Sequence, residues 1–424
     1  MKQRATRQSY GVPTMITRRD LMKQFSAASF GLAFSGGFGG NVFSNPASAD
    51  LPEYLTPAEA IEQAVAKARP LLGGRLPKDF SRRLGATHYG GKYCLTEKPF
   101  LQEGCEALRD FGFGACKLWF ENSLPGYGFH SDWSSLDRSG TLVDIAKHPY
   151  FQAAFDMPFG TFVLENTTVR GRNKNIHDPN NSFEEDEKQF EEVTRYLYET
   201  YADREITFIF QQWEGDWLFR QNYSPDWTLD HEPAEKKADV FRRWFVARQN
   251  GILQGREAVG QGKKCRVLFA VEVNRVLDLL RGIPTLTEYV LPNMETDLVS
   301  WSAYDGMGSV VNCWHGIELI RHFTKPTDFF GKPVVYIGEI GYPEQQRNDL
   351  DLTQWWDGLM GVFLAQDIPW ILHWELYCNE ITEEAKKKPV PENGIYSAED
   401  LRGFWLIRPD GTPGIAAEYF KQLL

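Results

Sequence analysis

The sequence predicts an α/β fold: a single (β/α)8 TIM barrel with long loops on the catalytic face, spanning residues 50–424. Three observations predict it. Eight short apolar segments, each long enough for one buried strand, recur along the chain. Segments of helical period separate them, which argues for a parallel sheet with crossover helices, and eight repeats favour closure. No glycine-rich phosphate loop follows the first strand, which counts against a dinucleotide-binding open sheet.

The elements follow in order. Residues 1–49 read as a twin-arginine signal peptide. Thr17-Arg18-Arg19-Asp20-Leu21-Met22-Lys23 opens an apolar, small-residue stretch, and Ala47-Ser48-Ala49 supplies a cleavage site before Asp50. The expected location is therefore the periplasm or the medium. A retained membrane anchor is the competing reading of a stretch this short and glycine-rich, and translation from Met1 or Met15 is equally compatible. No later stretch reaches the ~18 apolar residues that a membrane span needs. Thr56-Pro57-Ala58-Glu59 is a capping box with proline at the first helical position, so a helix precedes the first strand.

The strand candidates are 83–88, 115–120, 161–166, a fourth from Ile206 ending at Glu214, 267–274, 298–304, a seventh from Pro333 ending at Glu339, and 370–374. Ser182-Phe183-Glu184-Glu185 is a second capping box, opening a helix to about Tyr201. Helical periodicity also covers 235–259 and 352–365, and a last helix spans 414–424 after the Pro409-Asp410-Gly411 turn. The connections after Asn166 and Glu214 are long. Loops after the strands of such a barrel build its site.

Composition narrows the partners. The net charge is −11, and the leader holds six basic residues (Lys2, Arg4, Arg7, Arg18, Arg19, Lys23) against Asp20, so the remainder is more acidic still. Such a chain avoids nucleic acid and anionic membrane. Thirteen tryptophans suit a core and also a sugar-binding cleft. Cys94, Cys105, Cys116, Cys265, Cys313 and Cys378 show no metal-ligand spacing and read as buried free thiols. His88 stands alone rather than in a His-x-His pair, so neither metal nor cofactor is expected. Oligomeric state is not legible.

Two carboxylates carry the chemistry. Glu339 ends a β-branched run between Gly338 and Gly341, and Glu214 ends another among Trp213 and Trp217. A charge at the end of a buried strand needs a reason. Two such acids in aromatic surroundings are the arrangement that glycoside hydrolysis requires. The bland alternative is a salt bridge for each. Glu165, Glu272 and Glu375 are rival acids that suit interior ion pairs, for example with Lys117 or Arg275. Asp216 either tunes Glu214 or caps its loop.

In order along the strands, this pattern resembles the clan A glycoside hydrolases, a large group of (β/α)8 retaining enzymes. The resemblance implies that Glu214 is the acid/base, Glu339 the nucleophile, Tyr304 a hydroxyl on the nucleophile and Trp374 a platform under the sugar. The tail around Pro409-Asp410-Gly411-Thr412-Pro413 is similar too. One departure stands out: Trp213, not asparagine, precedes Glu214, leaving Gln212 as the nearest amide for the sugar's hydroxyl. His88, Lys117, Trp119, Asn166, Asn274 and His373 sit late in strands and either contact the carbohydrate substrate or fill rim hydrogen bonds. Trp217 and Trp227 either extend the sugar site or pin their loop. Arg170, Arg172 and Lys174 either recognise an anionic sugar or only solvate theirs. The competing function is a non-hydrolytic barrel that binds or transglycosylates glycan.

Overall fold

The computed structural model describes residues 52–73, 76–121, 125–136, 140–167, 169, 175–224, 229–260, 262–345 and 351–424. The signal-peptide reading, Arg170, Arg172, Lys174 and Trp227 lie outside these residues. Among the described residues, no helix is long and apolar enough to cross a membrane.

Eight parallel strands close into a barrel: β1 (Leu84–His88), β2 (Ala115–Trp119), β3 (Thr161–Glu165), β4 (Thr207–Gln211), β5 (Arg266–Val273), β6 (Leu298–Ser302), β7 (Val335–Ile340) and β8 (Ile371–His373). Each pairs with its successor, and β8 pairs with β1. Apart from the first residue of β5, the strands are buried throughout, which is why they read as continuous apolar runs rather than alternating ones. The principal helices are α1 (Ala58–Leu72), α2 (Phe100–Phe111), α3 (Pro149–Phe155), α4 (Glu184–Thr200), α5 (His231–Val259), α6 (Val310–Phe323), α7 (Leu352–Ala365) and α8 (Ile415–Lys421). They surround the barrel, with a phenylalanine-rich layer between sheet and helices that includes Phe155, Phe162, Phe208 and Phe210.

The floor of the barrel is apolar: Ala115, Val163, Ile209, Leu268, Ala270, Leu298 and Leu372 form one cluster with Tyr336. Strand alternation then places Lys117, Glu165, Gln211, Glu272 and Ser300 one pleat higher, all buried. A buried Arg248 ties the helices to the upper rim. It meets Asp186 of α4 at 2.8 Å and donates to the carbonyls of Asn166 and Thr167 beyond β3.

Several boundaries differ from expectation, each for a local reason. β4 stops at Gln211 rather than at Glu214. Glu214 has φ +24° and begins the short helix Gly215–Arg220. The Ser182 capping box does not form; Phe183 occupies the N-cap at φ +58°, and the Asn181 side chain accepts its N–H at 3.0 Å instead. α5 starts at His231, four residues early, and α8 ends at Lys421. The six cysteines are free; five are buried and Cys94 is partly exposed.

Candidate active site

β7 presents Glu339 through a bulge. Trp301 of β6 pairs with Ile337, but the next residue, Ser302, pairs with Glu339, so β7 holds one residue more than its neighbour there. A bulge re-aims the side chains that follow it. Gly338 occupies the crowded point: a Cβ there would stand 1.8 Å from Ser300 Oγ and 2.8 Å from Glu272 Oε2. Only glycine permits that approach.

Glu339 meets a phenol and an ammonium. Tyr304 donates its hydroxyl to Oε1 at 3.2 Å, and Lys117 Nζ lies 3.3 Å from Oε2. Glu339 is 3% exposed. Burial, then the charges of Glu339, Glu380, Glu214 and Glu375, hold the Tyr304 phenol well above its ordinary range, so it stays a donor. One phenol therefore feels both candidate carboxylates.

Glu214 is held by β5 and by the end of β6. Ser302 donates its hydroxyl to Glu214 Oε1 at 2.8 Å. Ser302 is also Glu339's partner in the β6–β7 register, so the two acids converge on one position of β6. The Glu214 backbone N–H is taken by Glu272 Oε1 at 3.0 Å. The residue is 8% exposed, beside Trp213.

The other expected site residues divide. Trp119 and Trp374 follow one another around the barrel on β2 and just past β8, with rings 5.8 Å apart, but they are 5% and 1% exposed and Trp119 stacks on Tyr89 at 4.4 Å, so the expected platform of Trp374 is packed rather than open. The peptide joining Trp374 to Glu375 is cis. Lys117 lies below the mouth and is fully buried. His88 turns outward: its Nε2 meets the Phe100 carbonyl at 2.8 Å, and burial pushes its pKa down to about 4. His373 packs between Trp356 and Phe420, again outside the mouth. Asn166 donates to the Phe120 carbonyl at 2.8 Å. Gln212 donates to the Glu272 carbonyl at 2.6 Å. Asn274 accepts the Asp216 N–H at 2.9 Å. Asp216 in turn accepts the N–H groups of Asn274, Arg275 and Leu286, which ties its loop to β5. Trp217 lies under the Arg275 guanidinium at 5.4 Å. Among the rival acids, Glu165 and Glu272 pair with Lys117, and Glu375 accepts the Asn379 N–H at 2.9 Å.

Three residues were not singled out as contributors. Ser300 and Ser302 alternate on β6 and so share its inner face, a period-two signal present in the sequence. Glu272 was set aside as a rival, yet it is the hub. Its Oε2 accepts Gln211 at 2.5 Å and Ser300 at 2.8 Å and lies 3.4 Å from Lys117 Nζ; its Oε1 accepts Glu214. Among the described residues, no group of three or more His, Cys, Asp or Glu is arranged to hold a metal ion.

No protein-family model matches the chain, and no curated protein matches it. Solved structures do. An endo-1,4-beta-D-mannanase from Thermotoga petrophila is 13% identical at a TM-score of 0.48, over 81% of this chain and 100% of that one. A broad specificity endoglucanase from Clostridium longisporum is 11% identical at 0.45, over 84% and 97%. One from Bacteroides salanitronis is 12% identical at 0.43, over 83% and 95%. At these identities a likeness speaks of fold alone, and the closed ring of eight parallel strands already establishes the fold of this chain.

Proposed function

We propose that this protein is a retaining glycoside hydrolase acting on a β-linked poly- or oligosaccharide. The observation that carries the proposal is the convergence of Glu214 and Glu339 on Ser302 and Tyr304. Glu339, contacted by an ammonium and a phenol, is the nucleophile that attacks the anomeric carbon. Glu214 protonates the leaving oxygen, then removes a proton from water as the glycosyl–enzyme bond is hydrolysed. The two acids differ in surroundings as the chemistry requires: Glu339 has the Lys117 ammonium beside it, and Glu214 accepts the Ser302 hydroxyl.

The test is a panel of aryl glycosides and β-linked polysaccharides, with NMR of the first-formed anomer. Retention is expected. Glu214→Gln lowers kcat by about 10²–10⁴-fold on substrates with poor leaving groups, and Glu339→Gln by at least as much. A first-formed product of inverted configuration, or parental activity in Glu339→Gln, overturns the assignment. Binding without turnover across the panel would establish the non-hydrolytic alternative.

We also propose export by the twin-arginine route, on the strength of Arg18-Arg19 and the Ala47-Ser48-Ala49 site. Expressed with its leader, the exported protein should begin at Asp50. Retention of the full chain in the membrane or cytoplasm refutes this.

A further inference from the structure

Among the described residues, Lys117 is a lysine with a fully buried side chain. Its ammonium has three protons and four acceptors: Glu165 Oε2 at 3.0 Å, Glu339 Oε2 at 3.3 Å, Glu272 Oε2 at 3.4 Å and the Gly338 carbonyl at 3.2 Å. The side chain is fully buried, with the Trp119 ring 5.5 Å away. Every donor is engaged from β3, β5 and β7 at once, leaving none for a sugar. A buried ammonium is costly unless paired, and a buried carboxylate equally so. Here three carboxylates share one cation, with the Tyr336 phenol also within its field. Formally the group carries more negative than positive charge, and the ammonium is in contact with all three carboxylates.

The geometry points to Lys117 as a positioning residue: shared with Glu165 and Glu272, its ammonium keeps Glu339 ionised and aimed at the mouth without touching substrate. The sharing also reaches the other acid. Glu272 contacts Lys117 through Oε2 and accepts the Glu214 backbone N–H through Oε1. Glu214 holds φ +24°, a backbone conformation that only its surroundings sustain. Lys117 and Glu272 thus link the side chain of one acid to the backbone of the other. The inference rests on the assignment of Glu339 as nucleophile and goes beyond it by naming what sets its charge.

Two isosteric variants should move the acid limb of kcat/KM in opposite directions. Lys117→Met removes the cation, so Glu339 must be ionised against two neighbouring carboxylates. The limb moves up by about one to three pH units. Glu272→Gln removes a competing carboxylate and leaves the ammonium to Glu339 and Glu165, so the limb moves down. A role in packing alone would lower activity in both without shifting either limb. The double variant Lys117→Met/Glu165→Gln restores the group's formal charge and keeps the test open where Lys117→Met does not fold; its limb still moves up. Profiles are measured on whichever aryl glycoside of the panel the parent cleaves, with a cooperative melt as the criterion of folding. Opposite shifts support the inference. Unshifted limbs, or shifts of the same sign, in folded variants overturn it while leaving the nucleophile assignment standing. A parent that cleaves nothing overturns that assignment, and the inference with it.

Discussion

Ser302 joins the two halves of the site in one side chain. Its hydroxyl reaches Glu214 Oε1 at 2.8 Å, and its backbone is paired with Glu339. Hydrogen bonds to charged or partly charged carboxyls contribute about 1.5–3 kcal/mol. If that bond orients Glu214 for proton transfer, Ser302→Ala should lower kcat by about ten- to a hundredfold with little change in KM. The effect should shrink on aryl glycosides whose leaving group needs no proton. A uniform loss across leaving groups would mean that Ser302 shapes the mouth instead. Tyr304 was legible only through the resemblance, at the end of the 298–304 run, and its hydroxyl meets Glu339. Gln212 was not: its amide is spent on the Glu272 carbonyl, and nothing in a linear pattern distinguishes a buried amide with a backbone partner from one offered to a substrate.

At the scale of elements, strands were far more legible than their ends. All eight apolar runs became strands because burial on both faces leaves no other composition for them. The ends depend on contacts made by distant parts of the chain. Glu214 looked like the end of β4, but its N–H bonds to a carboxylate of β5, 58 residues on, so the strand gives way to a helical turn. The Ser182 box lost to Asn181, which offers a carboxamide oxygen one position earlier. The β7 bulge was not read from the sequence. The sequence shows Gly338 beside a carboxylate, but what requires glycine there is the close approach of Ser300 and Glu272 from neighbouring strands. The interior polar layer shows the same limit. Strand periodicity puts Lys117, Glu165 and Glu272 on the inner face, but only closure of the barrel shows that they meet.

Across the whole molecule, buried titratable groups give the stability a pH dependence of predictable shape. Burial pushes the pKa of His88 down to about 4 and that of His373 down to about 3, from 6.5 in an unfolded chain. Both are neutral when folded, so below about pH 6.5 the unfolded state binds protons that the folded state refuses. Stability is full above that pH and is lost as the pH falls toward 4 and then 3. Asp305 runs the other way. Burial raises its carboxyl to about 7 from 3.8, with Arg275 and the Leu277 N–H opposing and Asp278 and Asp216 adding. The folded state therefore holds a proton there that the unfolded chain has released, and stability declines as the pH rises from 3.8 to about 7. Between about pH 4 and 6.5, His88 and His373, joined by His177, whose pKa burial also pushes down to about 4, outweigh one aspartate, so net stability should rise with pH across that window. Asp305→Asn removes the opposing group. Urea unfolding at several pH values should show the variant gaining on the parent by a few kcal/mol between about pH 4 and about pH 7, with a steeper rise. Its side-chain oxygen can still accept only one of the bonds now made by Trp301 Nε1 and the Leu277 N–H, so a constant loss lies beneath that gain. A pH-independent difference between variant and parent would mean that Asp305 titrates alike in both states and is not the group that opposes the histidines.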